Sequence, residues 1–401
     1  MTTPSGNSYK ERTKTVLILG GGELGMGLVG AFRRQGCRVV VADRYDGAPA
    51  MAVADHAHVL DMTDEHALRA LIAEVTPDYI VPEIEAVSVT ALADAAGRGI
   101  AVVPSAAAVA VAMNRERLRM LADSLGLPVA PWCVARDERQ LADAVRRLGT
   151  PCFVKPLVSS SGHGMTVVSD AEQCDAAWRR AMTGGRAEAG GVMVEKSVAV
   201  AAELTMLTVA HRGGVDVCQP IGQRQQDGNF VESWQPAGGL SDETLKQADA
   251  IARSIVGVLG GYGVFGVELF VDVEGRLWFN EVSPRPHDTA MVTLASLPGG
   301  VSEFDLHALA ALGHDLSDRD LTCRHTAAAV TIDAHGHGRI AGIERHDGAH
   351  CHDGVAELLF IKPTVDGHRR VGIVTAVAGS AAEALQAART HVAGLSVKVV
   401  P

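Results

Sequence analysis

The sequence predicts an α/β protein that opens with a doubly wound parallel sheet, continues as an α+β domain and ends in a small C-terminal domain. Near the N-terminus, short and continuously apolar strands alternate with helices, which is typical of a parallel sheet covered on both faces. After Pro128, helices alternate with strands paired as hairpins, which indicates a different architecture. A chain of 401 residues also exceeds one ordinary hydrophobic core, so two or three domains are expected.

The first domain is predicted over residues 15–113, after a flexible leader at 1–14. An apolar strand that begins at Thr15 runs into a glycine-rich turn and then into a helix that ends near Gly36. The sequence predicts the other strands of this sheet at 37–43, 58–62, 79–83 and 101–105.

The second domain is predicted over residues 114–320, with helices at 114–125, 137–149 and 242–260. Asp137 and Asp242 are suitable N-caps, and Gly149 and Gly260 are suitable helix ends. Residues 265–282 alternate around Glu274 and Gly275, which predicts a β-hairpin.

The third domain is predicted over residues 321–401. A polar stretch at 315–324 indicates a linker before it. The remainder is predicted to form strands and one helix at 380–391.

Charge and composition exclude several classes of function. The formal charge is −11 without a basic run, which disfavours a nucleic-acid partner. The 7 cysteines are scattered and form no CxxC pair, so reduced thiols and a cytoplasmic location are expected. No secretion signal and no apolar run of membrane-spanning length are present, so no membrane association is expected.

Gly20, Gly22 and Gly25 follow the first strand, and Asp43 closes the second. This spacing fits a dinucleotide-binding fingerprint and supports an NAD-enzyme hypothesis. Glu23 within the turn argues against that hypothesis, because its carboxylate would face the pyrophosphate. Glu23 is better suited to receive an amine.

Lys155 precedes the loop SSSGHGMT at 159–166, and this pair is typical of phosphate binding. The strand 192–198 follows, with Glu203 downstream. The backbone amides of this strand suit the edge of an adenine ring, and a carboxylate in this region suits ribose hydroxyls. Each feature alone also fits an ordinary strand or surface loop.

Glu268 and Glu281 lie on the two arms of the predicted hairpin, at similar distances from its turn. Neighbouring carboxylates repel unless a cation lies between them, and Mg²⁺ prefers carboxylate and phosphate oxygens. We therefore predict a magnesium site here.

Lys362, Arg369 and Arg370 form a basic cluster suited to a phosphate. The C-terminal region is also rich in histidine, but its spacing matches no standard zinc pattern; the residues are His335, His337, His346, His350, His352 and Cys351.

Taken together and in order, these features resemble the ATP-grasp superfamily, and within it the formate-dependent phosphoribosylglycinamide formyltransferases. The resemblance runs from about Lys14 to Val399 and rests on GGGELG, DRYDGAPAM, YIVPEIEA, AMNRE, VKPLVSSSG, QDGNFVESWQP, GGYGVFGVELF, DGHRR and, most specifically, NEVSPRPHDTAMVTL. It implies a preATP-grasp domain, an ATP-grasp domain, a small C-terminal domain and a homodimer. It also implies that ATP and Mg²⁺ serve to ligate formate to the amine of glycinamide ribonucleotide through formyl phosphate, in purine synthesis.

The resemblance also implies roles for individual residues. The residues implied to bind ATP are Arg115, Lys155, Ser160, Ser161, Gly162, His163, Gly164, Met165, Glu195, Lys196, Ser197, Val198 and Glu203. Mg²⁺ is assigned to Glu268 and Glu281. The residues implied to bind the ribonucleotide are Glu23, Leu24, Glu83, Asp288, Lys362, Arg369 and Arg370. Direct roles in catalysis are expected for Lys155, His163, Arg285 and Asp288.

The chain departs from the family pattern within the ATP-grasp portion. The loop has SSGHG where SSGKG is usual, and Val231 occupies a position where arginine is expected; Gln223 and Gln226 are less ionic than the family pattern. The presumed ribonucleotide contacts are all present. Three alternatives therefore stay open: a diverged ligase that uses another small carboxylate or amine, a nucleotide-binding module without turnover, and the NAD enzyme.

Overall fold

The computed structural model describes residues 13–159, 163–184, 190–226, 228–346, 353–360 and 362–401. The chain divides into two compact units, Met1–Val102 and Val103–Pro401. The predicted division of the second unit near residue 320 stays a prediction.

The first unit is built on a five-stranded parallel sheet with the order β3-β2-β1-β4-β5. Every residue of β1 is buried, as expected for a central parallel strand. Its elements are β1 (Thr15–Leu19), α1 (Glu23–Arg34), β2 (Arg38–Asp43), β3 (His56–Val59), α2 (Glu65–Val75), β4 (Tyr79–Pro82), α3 (Val89–Gly97) and β5 (Ala101–Val102). The doubly wound prediction is confirmed.

The second unit begins with two helices and a four-stranded antiparallel sheet of order β6-β9-β7-β8. Two further helices pack on this sheet through a core that includes Leu141, Val154 and Ala177. The elements are α4 (Ala106–Ala112), α5 (Arg115–Ser124), β6 (Trp132–Ala135), α6 (Glu138–Leu148), β7 (Cys152–Pro156), β8 (Thr166–Val168), α7 (Cys174–Gly184) and β9 (Val192–Lys196).

The rest of the second unit is organised around a ten-stranded sheet. Its elements are β10 (Val200–His211), β11 (Gly214–Val217), β12 (Ile221–Gln226), β13 (Asn229–Gln235), α8 (Asp242–Leu259), β14 (Gly263–Asp272), β15 (Leu277–Ser283), a 3₁₀ turn (Asp288–Val292), α9 (Thr293–Ser296), α10 (Glu303–Ala311), β16 (Thr326–Arg345), β17 (Val355–Leu359), β18 (Thr364–Ala378), α11 (Ala381–Ala393) and β19 (Leu395–Val400). Strand β13 pairs with β16, so the C-terminal strands continue the same sheet. The apolar side of α8 packs on β10, β14 and β15 through residues such as Ile255, Phe265 and Phe279.

Several local predictions can be checked against these elements. Asp137 caps α6 by accepting the Gln140 N–H, and Gly149 ends that helix, as predicted. The predicted Asp242 cap is wrong by one residue: the Ser241 hydroxyl accepts the Thr244 N–H at 3.1 Å, and Asp242 is the first helical residue. Both residue types cap well, so sequence preference alone does not separate them.

Within the part of the chain that the structure describes, no helix combines the length and apolar character needed to cross a bilayer.

Candidate functional site

The second unit contains a cavity of about 370 Å³, lined by residues from α5, from both sheets and from the loop before β8. This volume falls within the range of small-molecule sites. The lining includes the following residues predicted from the sequence to bind ATP or a metal: Arg115, Lys155, Met165, Glu195, Lys196, Val198, Glu203, Glu268 and Glu281.

A buried ion triad forms one wall of this cavity. The Lys155 ammonium lies 2.6 Å from Glu195 Oε2, and the Arg119 guanidinium contacts Glu195 Oε1 through Nε at 2.8 Å and Nη2 at 2.7 Å. Burial alone would raise the pKa of Glu195, but Lys155 and Arg119 lower it to about 2. Glu195 is therefore ionised at neutral pH and fixes the position of Lys155.

Glu268 and Glu281 face each other across β14 and β15, as the hairpin spacing predicted. Glu268 Oε2 accepts a hydrogen bond from Asn280 Nδ2 at 3.1 Å, and Oε1 lies 3.3 Å from His287 Nε2. Burial would raise the pKa of Glu268, but the hydrogen bond with His287 and the other polar contacts lower it. The carboxylate is thus held ionised and oriented.

Glu203 lies in the same cavity, and its Oε2 is buried without a hydrogen-bond partner among the described residues. Burial and the nearby Glu268 carboxylate raise the pKa of Glu203 to about 7. An acceptor oxygen left without a donor in a cavity fits a ligand that supplies a hydroxyl or a cation.

The donor set can be tested against Mg²⁺. No group of three or more His, Cys, Asp or Glu side chains in the described ranges is arranged as a complete metal cage. Mg²⁺ commonly uses one or two protein carboxylates together with water and substrate phosphates. The pair Glu268 and Glu281 fits that second type of site.

The predicted phosphate loop is seen in part. Arg115 Nη1 donates to Ser159 Oγ at 2.9 Å and to the Pro156 carbonyl at 2.7 Å, which anchors the start of the loop. Ser160, Ser161 and Gly162 lie outside the described residues. At the other end, Met165 reaches the cavity, whereas the side chain of His163 is exposed.

In the first unit, Gly20 follows β1 and Glu83 follows β4, where the strand order reverses, which is the place where open α/β sheets bind ligands. A Cβ atom at Gly20 would collide with the Glu83 carboxylate, so the glycine is required for this approach. Asp43 Oδ2 accepts the Gly21 N–H at 2.6 Å, and Oδ1 accepts the Arg44 N–H at 2.6 Å. The buried Glu23 begins α1 in the same turn. This concentration of acids suits an amine better than a pyrophosphate.

Asp288 and Arg370 form a second polar cluster within the second unit. Arg370 Nη2 lies 2.6 Å from Asp288 Oδ2, and the guanidinium lies over the Phe230 ring at 5.4 Å. Burial would raise the pKa of Asp288, but Arg370 and Arg285 hold it below its usual range. Arg369 and Lys362, which lie close to Arg370 in the sequence, are both half-buried. Arg369 donates to the Thr364 carbonyl at 3.0 Å.

Sequence reasoning missed three polar residues that contact the predicted site carboxylates: Arg119, Asn280 and His287. Arg119 lies one helical turn after Arg115, so its spacing was an available signal. Asn280 and His287 flank the predicted Glu281 and Asp288 directly. Asn280 and His287 both contact Glu268, which lies across the hairpin or farther away in the chain, and no local sequence pattern reveals these contacts.

Comparisons with known proteins show which domain families the chain matches. The model of the ribonucleotide synthetase preATP-grasp domain matches residues 13–113, and the ATP-grasp domain model matches residues 120–304. The formate-dependent phosphoribosylglycinamide formyltransferase of Xanthomonas axonopodis pv. citri is 44% identical over 99% of this chain and 99% of its own. The enzyme of the same name from Bifidobacterium adolescentis is 44% identical over 96% of this chain and 100% of its own.

Solved structures are similar over almost the whole length. Glycinamide-RNase-transformylase T from Mycobacterium tuberculosis superposes with a TM-score of 0.77 at 33% identity, covering 96% of this chain and 100% of that one. N5-carboxyaminoimidazole ribonucleotide synthetase from Thermotoga maritima has a TM-score of 0.83 at 22% identity, covering 97% and 100%, and shows the shared fold. The chain therefore belongs to the family of formate-dependent phosphoribosylglycinamide formyltransferases, within the ATP-grasp enzymes.

Proposed function

We propose that this chain ligates formate to the amine of glycinamide ribonucleotide, converting ATP to ADP and phosphate, as a step of purine synthesis. The observation that carries the proposal is that Lys155 and the paired carboxylates Glu268 and Glu281 line the same cavity. The relatives named for this activity match along nearly the whole chain, which supports the same substrates here.

The chemistry requires activation of a poor electrophile. Formate is anionic and resonance-stabilised, so transfer of the ATP γ-phosphoryl group first makes formyl phosphate, which carries a good leaving group. The substrate amine then attacks the formyl carbon, and phosphate leaves. The protein needs no covalent intermediate, and its contribution is positioning and charge.

The residues of the cavity fit these tasks. Lys155, fixed by Glu195, directs an ammonium group at phosphate oxygens, and Arg115 anchors the loop that covers them. Glu203 is assigned to the ribose hydroxyls, and the backbone of Glu195, Lys196, Ser197 and Val198 to adenine. Glu268 and Glu281 would hold Mg²⁺, which offsets negative charge on the phosphates when it is bound.

We carry the acceptor contacts over from the family by residue type. The basic side chains Lys362, Arg369 and Arg370 suit the 5′-phosphate of the ribonucleotide. The carboxylates of Glu23, Glu83 and Asp288 suit its amine. Leu24 is assigned to the same ribonucleotide. Burial would raise the pKa of Asp288, but Arg370 and, to a smaller extent, Arg285 lower it and keep that carboxylate ionised.

The position of His163 favours one alternative, a diverged ligase that activates another small carboxylate. A lysine there carries a full charge, whereas a neutral imidazole offers one donor. We assign the loop to ATP through its backbone amides and Lys155, with His163 as the residue that sets efficiency or donor choice.

The test measures ADP release from Mg·ATP with formate and glycinamide ribonucleotide added singly and together, for the parent and for His163→Lys. Turnover by the parent that requires both substrates is the expected result, and His163→Lys should raise its rate if the loop contacts the γ-phosphate. Activity in the variant alone would indicate that the loop serves another reaction. Absence of turnover in both proteins would contradict the proposal.

We also propose that the enzyme is a cytoplasmic homodimer. The family resemblance and the scattered free cysteines support this assignment. Light scattering should then give twice the chain mass of 41.9 kDa.

A further inference from the structure

We propose that His287 is a positioning residue that orients the Glu268 carboxylate and connects it mechanically to the acceptor-binding Asp288. The inference rests on the proposed function, because it assigns Glu268 to the metal and Asp288 to the ribonucleotide. His287 was not singled out by the sequence analysis.

The ring of His287 is fixed at both nitrogens. Nε2 lies 3.3 Å from Glu268 Oε1, and Nδ1 lies 2.9 Å from Thr289 Oγ1. The Thr289 hydroxyl donates to Thr205 Oγ1 at 2.8 Å, which holds Thr289 in place beside the ring. The side chain is therefore oriented with Nε2 toward the carboxylate.

The strand beneath the ring has a glycine that makes this arrangement possible. A Cβ atom at Gly266 would lie 2.6 Å from His287 Cδ2 and 2.7 Å from its Cγ. Real Cβ atoms do not approach so closely, so any other residue at this position displaces the imidazole from its place beside Glu268. Gly266 stands two residues before Glu268 on β14, on the same side of the strand.

The backbone of His287 is anchored separately. Its N–H donates to Glu303 Oε2 at 2.7 Å, and Glu303 is completely buried at the start of α10. The next residue, Asp288, pairs with Arg370 at 2.6 Å. His287 thus lies beside the carboxylate assigned to the metal through its ring, and next to the carboxylate assigned to the acceptor through its backbone.

Removing a side chain that orients a metal ligand typically weakens metal binding about 10–100-fold. The test uses the full chain with ADP, which prevents turnover, and Mn²⁺ as a paramagnetic substitute for Mg²⁺ at oxygen ligands. Free Mn²⁺ is measured by electron paramagnetic resonance. His287→Phe, which keeps a ring but loses both nitrogens, should weaken Mn²⁺ binding by about tenfold or more. It should also raise the KM for glycinamide ribonucleotide, while ADP binding without metal stays close to that of the parent.

Thr289 provides a pair of variants that should fold even if His287→Phe does not. Thr289→Val removes the hydroxyl that orients Nδ1 and should weaken Mn²⁺ binding, whereas Thr289→Ser keeps the hydroxyl and should retain most of it. His391→Phe is the control for a buried histidine elsewhere: its Nε2 lies 2.7 Å from Glu357 Oε1, and it should leave Mn²⁺ binding unchanged.

The outcomes separate the two proposals. A parent protein that binds Mn²⁺ and turns over, with His287→Phe or Thr289→Val binding Mn²⁺ equally well, overturns the positioning role and leaves the proposed function intact. A parent that turns over but binds no Mn²⁺ in the presence of ADP overturns the positioning role alone, and a parent that neither turns over nor binds Mn²⁺ overturns both.

Discussion

The carboxyl group of Glu203 illustrates how burial sets the chemistry of a single side chain. It lies in the cavity of the second unit with one oxygen unpartnered within the described part of the chain, and burial and Glu268 raise its pKa to about 7. Near neutral pH the ligand-free protein therefore carries a mixture of protonated and ionised Glu203.

This shift predicts a pH-dependent cost to folding. The folded-state pKa lies above the ordinary value of 4.5, so the unfolded chain loses this proton first. Stability falls as pH rises from about 4.5 to about 7, and the loss is complete above that range. Glu203→Gln removes the titration, so the ligand-free variant should gain thermal stability over the parent at pH 8 but not at pH 4.5. Melting curves across this range measure the difference, and a gain that is constant with pH would contradict the assignment.

At the same scale, the sequence predicted some site residues and not others. Glu268 and Glu281 could be paired because a hairpin turn fixes which residues face each other. Arg119 could not be assigned a partner, because Glu195 lies 76 residues away and only the packing of α5 against the sheet brings them together. Contacts formed by tertiary packing leave no local pattern in the chain.

Between elements, α11 is joined to β13 by one buried carboxylate. Glu232 accepts from Arg389 through Nε at 2.8 Å and Nη2 at 2.6 Å, and also from Arg224 Nε at 2.6 Å. Burial would raise the pKa of Glu232, but the hydrogen bonds with the two arginines lower it. The contact holds the C-terminal helix on the central sheet.

Arg389→Met should lower stability by about 1–3 kcal/mol at pH 7, because it removes two charge-assisted hydrogen bonds from a buried carboxylate. The matched control is Arg253→Met. Arg253 is similarly exposed, at 43% against 48% for Arg389, but its carboxylate partners Asp249 and Asp216 are 42% and 35% exposed, whereas Glu232 is 2% exposed. The control should change stability by less than about 1 kcal/mol. Thermal and urea unfolding measure the free energy of unfolding of both variants. Equal losses would show that burial of the carboxylate partner does not determine the loss of stability.

Element boundaries show the same limit of sequence reasoning. Alternating polarity and a glycine turn predicted the hairpin of β14 and β15 because both signals are local. The pairing of β13 with β16, which extends one sheet into the C-terminal region, joins residues about a hundred positions apart, such as Glu232 and Val330. No periodicity specifies that partner, so the pairing could not be predicted; the separate domain expected at 321–401 stays a prediction.

At the scale of the whole molecule, the two units carry different kinds of polar group. The first unit concentrates acids around the glycine turn, with Asp43 already bonded to the turn backbone. The second unit contains the cavity with Lys155 and the ion triad. The glycine spacing is shared with dinucleotide-binding proteins, so that spacing alone does not decide whether the first unit binds a dinucleotide.

Hydrogen exchange of the full chain tests which of the two units binds ADP. Every residue assigned to ATP lies in the unit Val103–Pro401, so Mg·ADP should slow amide exchange in β9, β14 and β15. The amides of residues 20–25 should exchange at the ligand-free rate, because their turn is packed against carboxylates that repel a pyrophosphate. NAD is the control ligand and should protect neither region. Protection of residues 20–25 by NAD would support the dinucleotide hypothesis, and protection of that turn by ADP alone would move the nucleotide site to the first unit.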